Sequence, residues 1–257
     1  MKITAFALAA CLVSVTASAE VLRVDVSDRK DIPEYGYEQV TAKAYFSVDP
    51  KDPRNRGIAD IDKAPVNKEG RVEFSADLVA LWPKSAANDG SAVAIIDVVN
   101  RGIPVSMRLN RASGGNMAGD GFLLKRGIWM VAIGWEFDVG ARNGAIRVQL
   151  PVATDNGAPI RGTVRAAFTP DRSEMNYTVG DLAAYPAMDD AANDSSATLT
   201  VHDGLSKNVT TIPRSAWTIK GNVITLSKGF EPGRNYEVRY TAANPPISGL
   251  GLLAVRD

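Results

Sequence analysis

Nucleophilic acyl transfer needs a hydroxyl or thiol raised on a sharp turn, a base to take its proton, and an acid to orient the base. The serine version carries the pattern G-x-S-x-G between a strand and a helix. No serine here satisfies it. Ser248 has Gly249 beside it but Pro246 where the first glycine belongs, and Ser113 in "RASGG" and Ser206 in "GLSKN" fail as well. The single histidine, His202, sits in "ATLTVHDG", in step with Thr198 and Thr200 and out of step with Leu199 and Val201. That alternation predicts a strand with His202 on its solvent face. The residue types therefore supply no catalytic residues, and one imidazole without a thiolate supplies no zinc site.

Other chemistries fare no better. Asp49, Asp52, Asp60 and Asp62 in "DPKDPRNRGIADID" are hard oxygen donors of the kind calcium prefers, but their spacing departs from an EF-hand loop. "MDDAANDSS" departs equally, so both read as solvated loops and no metal site is expected. "SGGNMAGDG", residues 113–121, is glycine-rich without the spacing of a phosphate loop, so no nucleotide or other cofactor is expected. Asn176, Asn193 and Asn208 stand in N-x-S/T triplets, which carry no weight in a bacterial exported protein.

The elements that would position any site come next. Lys2, the apolar run from Ile3 to Val15 and the small residues Ala17-Ser18-Ala19 form a secretory signal with cleavage after Ala19, too short to serve as a membrane span. A periplasmic or secreted protein is predicted. Leu8-Ala9-Ala10-Cys11 resembles a lipoprotein box, but the apolar run continues past Cys11. The only cysteine lies within the signal, so the exported chain has no disulfide. Basic and acidic residues balance at 29 each, which gives no field toward nucleic acid or an anionic membrane. With 45% hydrophobic residues the chain can bury a core.

Residues 21–48, "RVEFSADLVALWP", and most of the chain after 145 alternate like strands separated by Gly, Pro, Asn and Asp. Residues 48–65 and 182–196 read as polar loops. Between them, "AVAIIDVVN" (92–100) and "IWMVAIGWEFD" (128–138) are apolar on both faces, as in strands covered by helices on each side. "GDGFLLKRG" (119–127) suits a short helix ended by Gly127. A strand, a helix and a strand of this kind predict the start of an α/β sheet. At the end, "NPPISGLGLLAVRD" begins an apolar helix pattern that stops at Asp257.

In "VVNRG", "GDGFLLKRGIWMVAIGWEFD" and "GFEPGRNYEVRYTAANPPISGLGLLAVRD" the chain resembles the N-terminal part of the large secreted bacterial alpha/beta hydrolase domain-containing proteins, which are of esterase type. The resemblance runs through most of residues 21–257. It implies an incomplete alpha/beta-hydrolase-type sheet with a large β-rich insertion. Its divisions are a signal over 1–19, the start of the core over 20–140, the insertion over 141–235, and a return to the core over 236–257. That return breaks off at the helix before the nucleophile strand.

By the same resemblance the strand at 92–99 is the third of the sheet. The loop after it, Asn100, Arg101 and Gly102, is then the candidate oxyanion-hole loop. Trp135, Glu136 and Asp138 are candidate pocket-edge residues at the end of the next strand. An ester-like small molecule is the substrate implied for a full-length parent, and the chain alone is expected to be inactive. The alternative reading is a non-catalytic periplasmic β-rich binding or adaptor module that uses the insertion strands as its ligand surface. The 92–99 strand is expected to leave an apolar sheet edge open to self-association, and the helix begun at 250 to have little sheet to cover.

Overall fold

The computed structural model describes residues 20–85, 93–113, 116–140, 144–179, 185, 187, 194–204 and 208–257. The signal predicted over 1–19, most of "KSAANDGS" and most of the 182–196 loop lie outside the described residues.

The alternating stretches become the main sheet. β1 (Glu20–Ile32) and β2 (Tyr37–Val48) form an antiparallel hairpin, and β3 (Val72–Pro83) pairs with β2 from Tyr37↔Pro83 to Val48↔Val72. Val40, Ala42, Ala44 and Phe46 of β2 are buried, while Gln39, Thr41, Lys43 and Tyr45 stand half-buried on the opposite face. The period of two thus sorts one strand into a core face and a wetter one. Phe46 stacks on Phe74 with ring centroids 4.9 Å apart.

β4 (Ala94–Val98) and β5 (Trp129–Ile133) complete one side of this sheet. β5 runs antiparallel on β3, and β4 runs parallel on β5 at the outer edge. Lower down, β3 pairs with β6 (Val148–Gln149) instead. The change of partner falls at Asp77, whose N–H donates to Arg147 O at 2.9 Å and whose carbonyl accepts from Gly134 N at 2.8 Å. A Cβ on Gly134 would lie 2.5 Å from Arg147 N, so glycine is what lets the two backbones approach.

After a small hairpin of β7 (Thr154–Asp155) and β8 (Ala158–Pro159) comes a second body. It comprises β9 (Arg161–Phe168), β10 (Glu174–Thr178), β11 (Thr198–Asp203), β12 (Thr210–Ile212), β13 (Trp217–Lys220), β14 (Val223–Phe230) and β15 (Arg234–Ala243). They form two sheets, ordered β12-β11-β15-β9 and β10-β14-β13, around one core that includes Leu199, Trp217, Ile224, Val238 and Tyr240. Phe168 stacks on Tyr177 at 4.2 Å and meets Phe230 edge-on at 5.6 Å, joining the two sheets through their aromatic side chains. The chain leaves this sandwich beside its entry, with Ala153 N donating to Pro245 O and Ile247 N donating to Pro151 O.

The result corrects the expected incomplete alpha/beta-hydrolase-type sheet. The described residues are dominated by antiparallel strands and contain one α-helix, α1 (Leu250–Arg256). Two physical reasons account for it. The segment expected as a helix over 119–127 holds only one 3-10 turn, Leu124–Arg126, because Gly119, Gly121 and Gly127 take positive φ of 50°, 70° and 70°. Left-handed residues break a helix's hydrogen-bond ladder. This segment is organised instead by the fully buried Asn110. Its side chain accepts from Leu123 N at 2.8 Å and donates to Met117 O at 3.1 Å.

The second reason concerns β4. Its apolar run was expected to be covered on both faces, yet Ile96 is 56% and Val98 47% exposed. No described helix covers that face, and among the described strands β4 pairs only with β5. Its buried side chain is Asp97, which accepts Ser106 N at 2.6 Å. The expectation that the last helix has little to cover is also corrected. Leu250, Leu253 and Ala254 of α1 are buried with Ile247 against Val72, Phe74 and Ala76.

Removing the Asn110 amide strands buried backbone groups, so Asn110→Ala is expected to cost about 1–3 kcal/mol in urea unfolding. Acid sensitivity has named sources. The Arg54 side chain, its backbone N–H and the nearby Arg256 hold the Asp52 carboxyl down at about 2. The Arg165 and Arg239 guanidiniums hold Glu237 at about 2. Both carboxyls titrate lower in the folded than in the unfolded chain, so they stabilise the fold above their ordinary values of 3.8 and 4.5. That contribution disappears as pH falls toward 2. The melting temperature should hold above about pH 5 and drop below about pH 4, with a shallower drop in Asp52→Asn.

Candidate functional site

The residues nominated after β4 and after β5 meet. Val99 is buried, and Asn100–Ile103 closes a tight turn in which Asn100 N donates to Ile103 O at 3.1 Å and Ile103 N returns to Asn100 O at 3.0 Å. Arg101 and Gly102 fill the two central positions at φ 49° and 75°. Both therefore occupy the left-handed region, as a type I′ turn demands. At Gly102 a Cβ would also come within 2.9 Å of Ile146 O and of Val139 Cγ1. Only glycine fits both the backbone and the space.

Trp135 follows Gly134 at the end of β5, and its indole N–H donates to Val99 O at 2.7 Å, tying the two parallel strand ends together. Glu136 and Asp138 then face Arg101. The guanidinium lies 2.8 Å from Asp138 Oδ1 and 3.5 Å from Glu136 Oε1, and also donates to Asp138 O at 2.9 Å. Glu136 is well covered, and its Oε2 has no hydrogen-bond partner among the described residues. Behind them Trp135 O packs so closely on α1 that a Cβ on Gly251 would lie 1.9 Å from it. One arginine thus clamps two carboxylates at the ends of β4 and β5. Of the three loop N–H groups nominated as oxyanion donors, that of Asn100 is already engaged by Ile103.

The remaining nominated side chains are dispersed. Asp49 accepts Lys51 N at 2.8 Å, Asp52 caps the Pro53–Asn55 turn, and Asp60 pairs with Lys63 at 2.9 Å. Among the described residues no three metal-ligating side chains cluster. His202 sits half-buried on β11 opposite Asn235, sharing its face with Thr198 and Thr200 as its alternation predicts. It lines a polar groove of about 620 Å3 on the outer face of the sandwich, along with Thr163, Thr211 and Glu237.

A further concavity was not nominated by the sequence. A cleft of about 780 Å3 opens between the half-buried face of β1–β3 and the segments around 103–117 and 144–146. Its floor holds Thr41, Lys43, Asp77 and Val79, and Ile103, Met107, Met117 and Ile146 are among its apolar walls. Lys43 Nζ lies 2.6 Å from Asp77 Oδ1 and 2.7 Å from Gln149 Oε1, so this charge is paired. The available signal was the alternation of Thr41, Lys43 and Tyr45 on one face of β2, but nothing in the one-dimensional pattern says which loops roof that face.

No protein-family model, curated protein or solved structure matches this chain. The geometry alone therefore has to carry the functional argument, and it offers an ion-paired anchor at the strand ends beside a roomy, largely apolar cleft.

If Arg101 is that anchor, Arg101→Met should leave Glu136 and Asp138 facing each other unpaired. A stability loss of about 1–2 kcal/mol is expected in urea unfolding, discounted for the partial exposure of the pair, with partial recovery in Arg101→Lys.

Proposed function

We propose that this chain is a non-catalytic ligand-binding module, exported by its first 19 residues, and that the cleft on the β1–β3 face is its binding site. The observation that carries the reading is the cleft of about 780 Å3, with mostly apolar walls and a few polar groups on its floor. Small-molecule sites commonly have that size and composition. The residue inventory points the same way, since no serine lies in G-x-S-x-G and the only histidine stands on the sandwich. The insertion strands anticipated as the ligand surface present a smaller and more polar groove.

A second reading is favoured by one observation, the convergence of Asn100–Gly102 with Trp135, Glu136 and Asp138 at the ends of the parallel strands. In it, these residues belong to the N-terminal portion of an esterase-type serine hydrolase, as the resemblance implies, and the nucleophile comes from elsewhere. An ester-like small molecule would then be the ligand of the whole enzyme.

Two measurements separate the readings. An apolar fluorescent probe is expected to bind this chain, and Ala112→Trp, which fills the cleft, should weaken it at least tenfold with little change in melting temperature. Unchanged affinity in that variant would remove the cleft as the site. Hydrolysis of a p-nitrophenyl ester is expected to stay at the buffer rate, and turnover above it would favour a hydrolytic chain.

A further inference from the structure

Among the described residues, the cleft lining holds two cations, Lys43 and Arg108, and two carboxylates, Asp25 and Asp77. Three of these four charges are already matched. Lys43 pairs with Asp77 at 2.6 Å, and Asp25 pairs with Arg23 at 3.1 Å. Arg108 differs. It is exposed in the 3-10 segment Ser106–Asn110, and among the described residues its guanidinium takes part in no ion pair and no hydrogen bond.

The walls around it are apolar and partly bare. Val26 is 44% and Ile103 50% exposed, and Val79, Met107, Met117 and Ile146 line the interior. Bare apolar surface beside a cavity is stabilised by an apolar occupant, and methionine side chains adapt to its shape. A guanidinium presents a planar fork of donors that matches a carboxylate in two parallel hydrogen bonds. With Lys43 neutralised by Asp77, the described lining is left with one unmatched positive charge, Arg108, beside an apolar wall.

We infer that the cleft binds an amphipathic anion, an acyl chain ending in a carboxylate, with Arg108 as the head-group contact. This rests on the reading of the cleft as the binding site. A neutral alcohol of the same chain length keeps the apolar contacts and loses the charged pair. A quaternary ammonium of that length adds repulsion with Arg108. Chain contacts and head-group recognition are therefore separable in one protein.

The experiment is calorimetric titration of the full chain with dodecanoate, 1-dodecanol and dodecyltrimethylammonium, each below its aggregation concentration, repeated on Arg108→Gln and Arg108→Lys. Dodecanoate is expected to bind at least about tenfold tighter than the alcohol, the scale of a charge-assisted hydrogen bond. Arg108→Gln should erase that preference while leaving the alcohol's affinity and the melting temperature unchanged, and Arg108→Lys should restore part of it. Equal affinity for acid and alcohol, insensitive to Arg108→Gln, would overturn the anionic ligand and leave the cleft reading standing. No binding of any of the three would overturn both.

Discussion

The main sheet depends on a change of partner along one strand. β3 pairs with β2 over its whole length, but its other edge is shared, Leu78–Leu81 with β5 and Ser75–Ala76 with β6. Asp77 stands at the seam and serves both sides. Its backbone bonds to Gly134 and Arg147, and its carboxylate accepts from Lys43 Nζ and Arg147 N. A buried backbone that left either segment unpaired would forfeit hydrogen bonds it could not recover from water, so the seam has little freedom. Gly134 permits it by giving up a side chain where two backbones nearly touch.

Both functional features are set by that seam. Immediately after Gly134 come Trp135, Glu136 and Asp138, delivered to the end of β4 where Arg101 waits. On the opposite side the Lys43–Asp77 pair becomes the polar floor of the cleft, and the segment around Arg147 carries Ala145 and Ile146 into its wall. The strand-end cluster holds two carboxylates on one guanidinium, which makes it an anchor for the turn at 100–103. The Lys43–Asp77 pair on the cleft floor is internally matched, so Arg108, unpaired among the described residues, is what distinguishes the lining chemically.

Legibility varied with the range of the interaction. The alternation along β2, β11, β15 and the first half of β3 translated directly into buried and more exposed faces, because a period of two needs only local backbone geometry. His202 followed from the same rule. Of the six residues nominated after β4 and β5, Arg101 meets Glu136 and Asp138, and the nomination came from a resemblance in their local motifs rather than from any pattern of spacing. The cleft stayed hidden because its lining runs from Asp25 to Ile146 and is assembled by strand register, Asp25 opposite Lys43 and Lys43 opposite Asp77. The doubly apolar run at 92–100 misled. Apolar side chains show what could be buried, whereas covering elements decide what is, and the glycine-broken segment between β4 and β5 supplies turns in place of a helix.

By itself, then, the amino-acid order determined the inward and outward faces of strands such as β2, β11 and β15, and that no serine stands in G-x-S-x-G. These are properties of neighbouring residues and of inventory. Only the tertiary structure decided that β3 divides its edge between two partners, that α1 buries Leu250 and Leu253 against β2 and β3, and that Arg108, unpaired among the described residues, lines an apolar cleft. Those outcomes follow from contacts between residues tens to hundreds of positions apart. Such contacts are chosen by the joint demands of filling the core and satisfying every buried polar group, which no local pattern encodes.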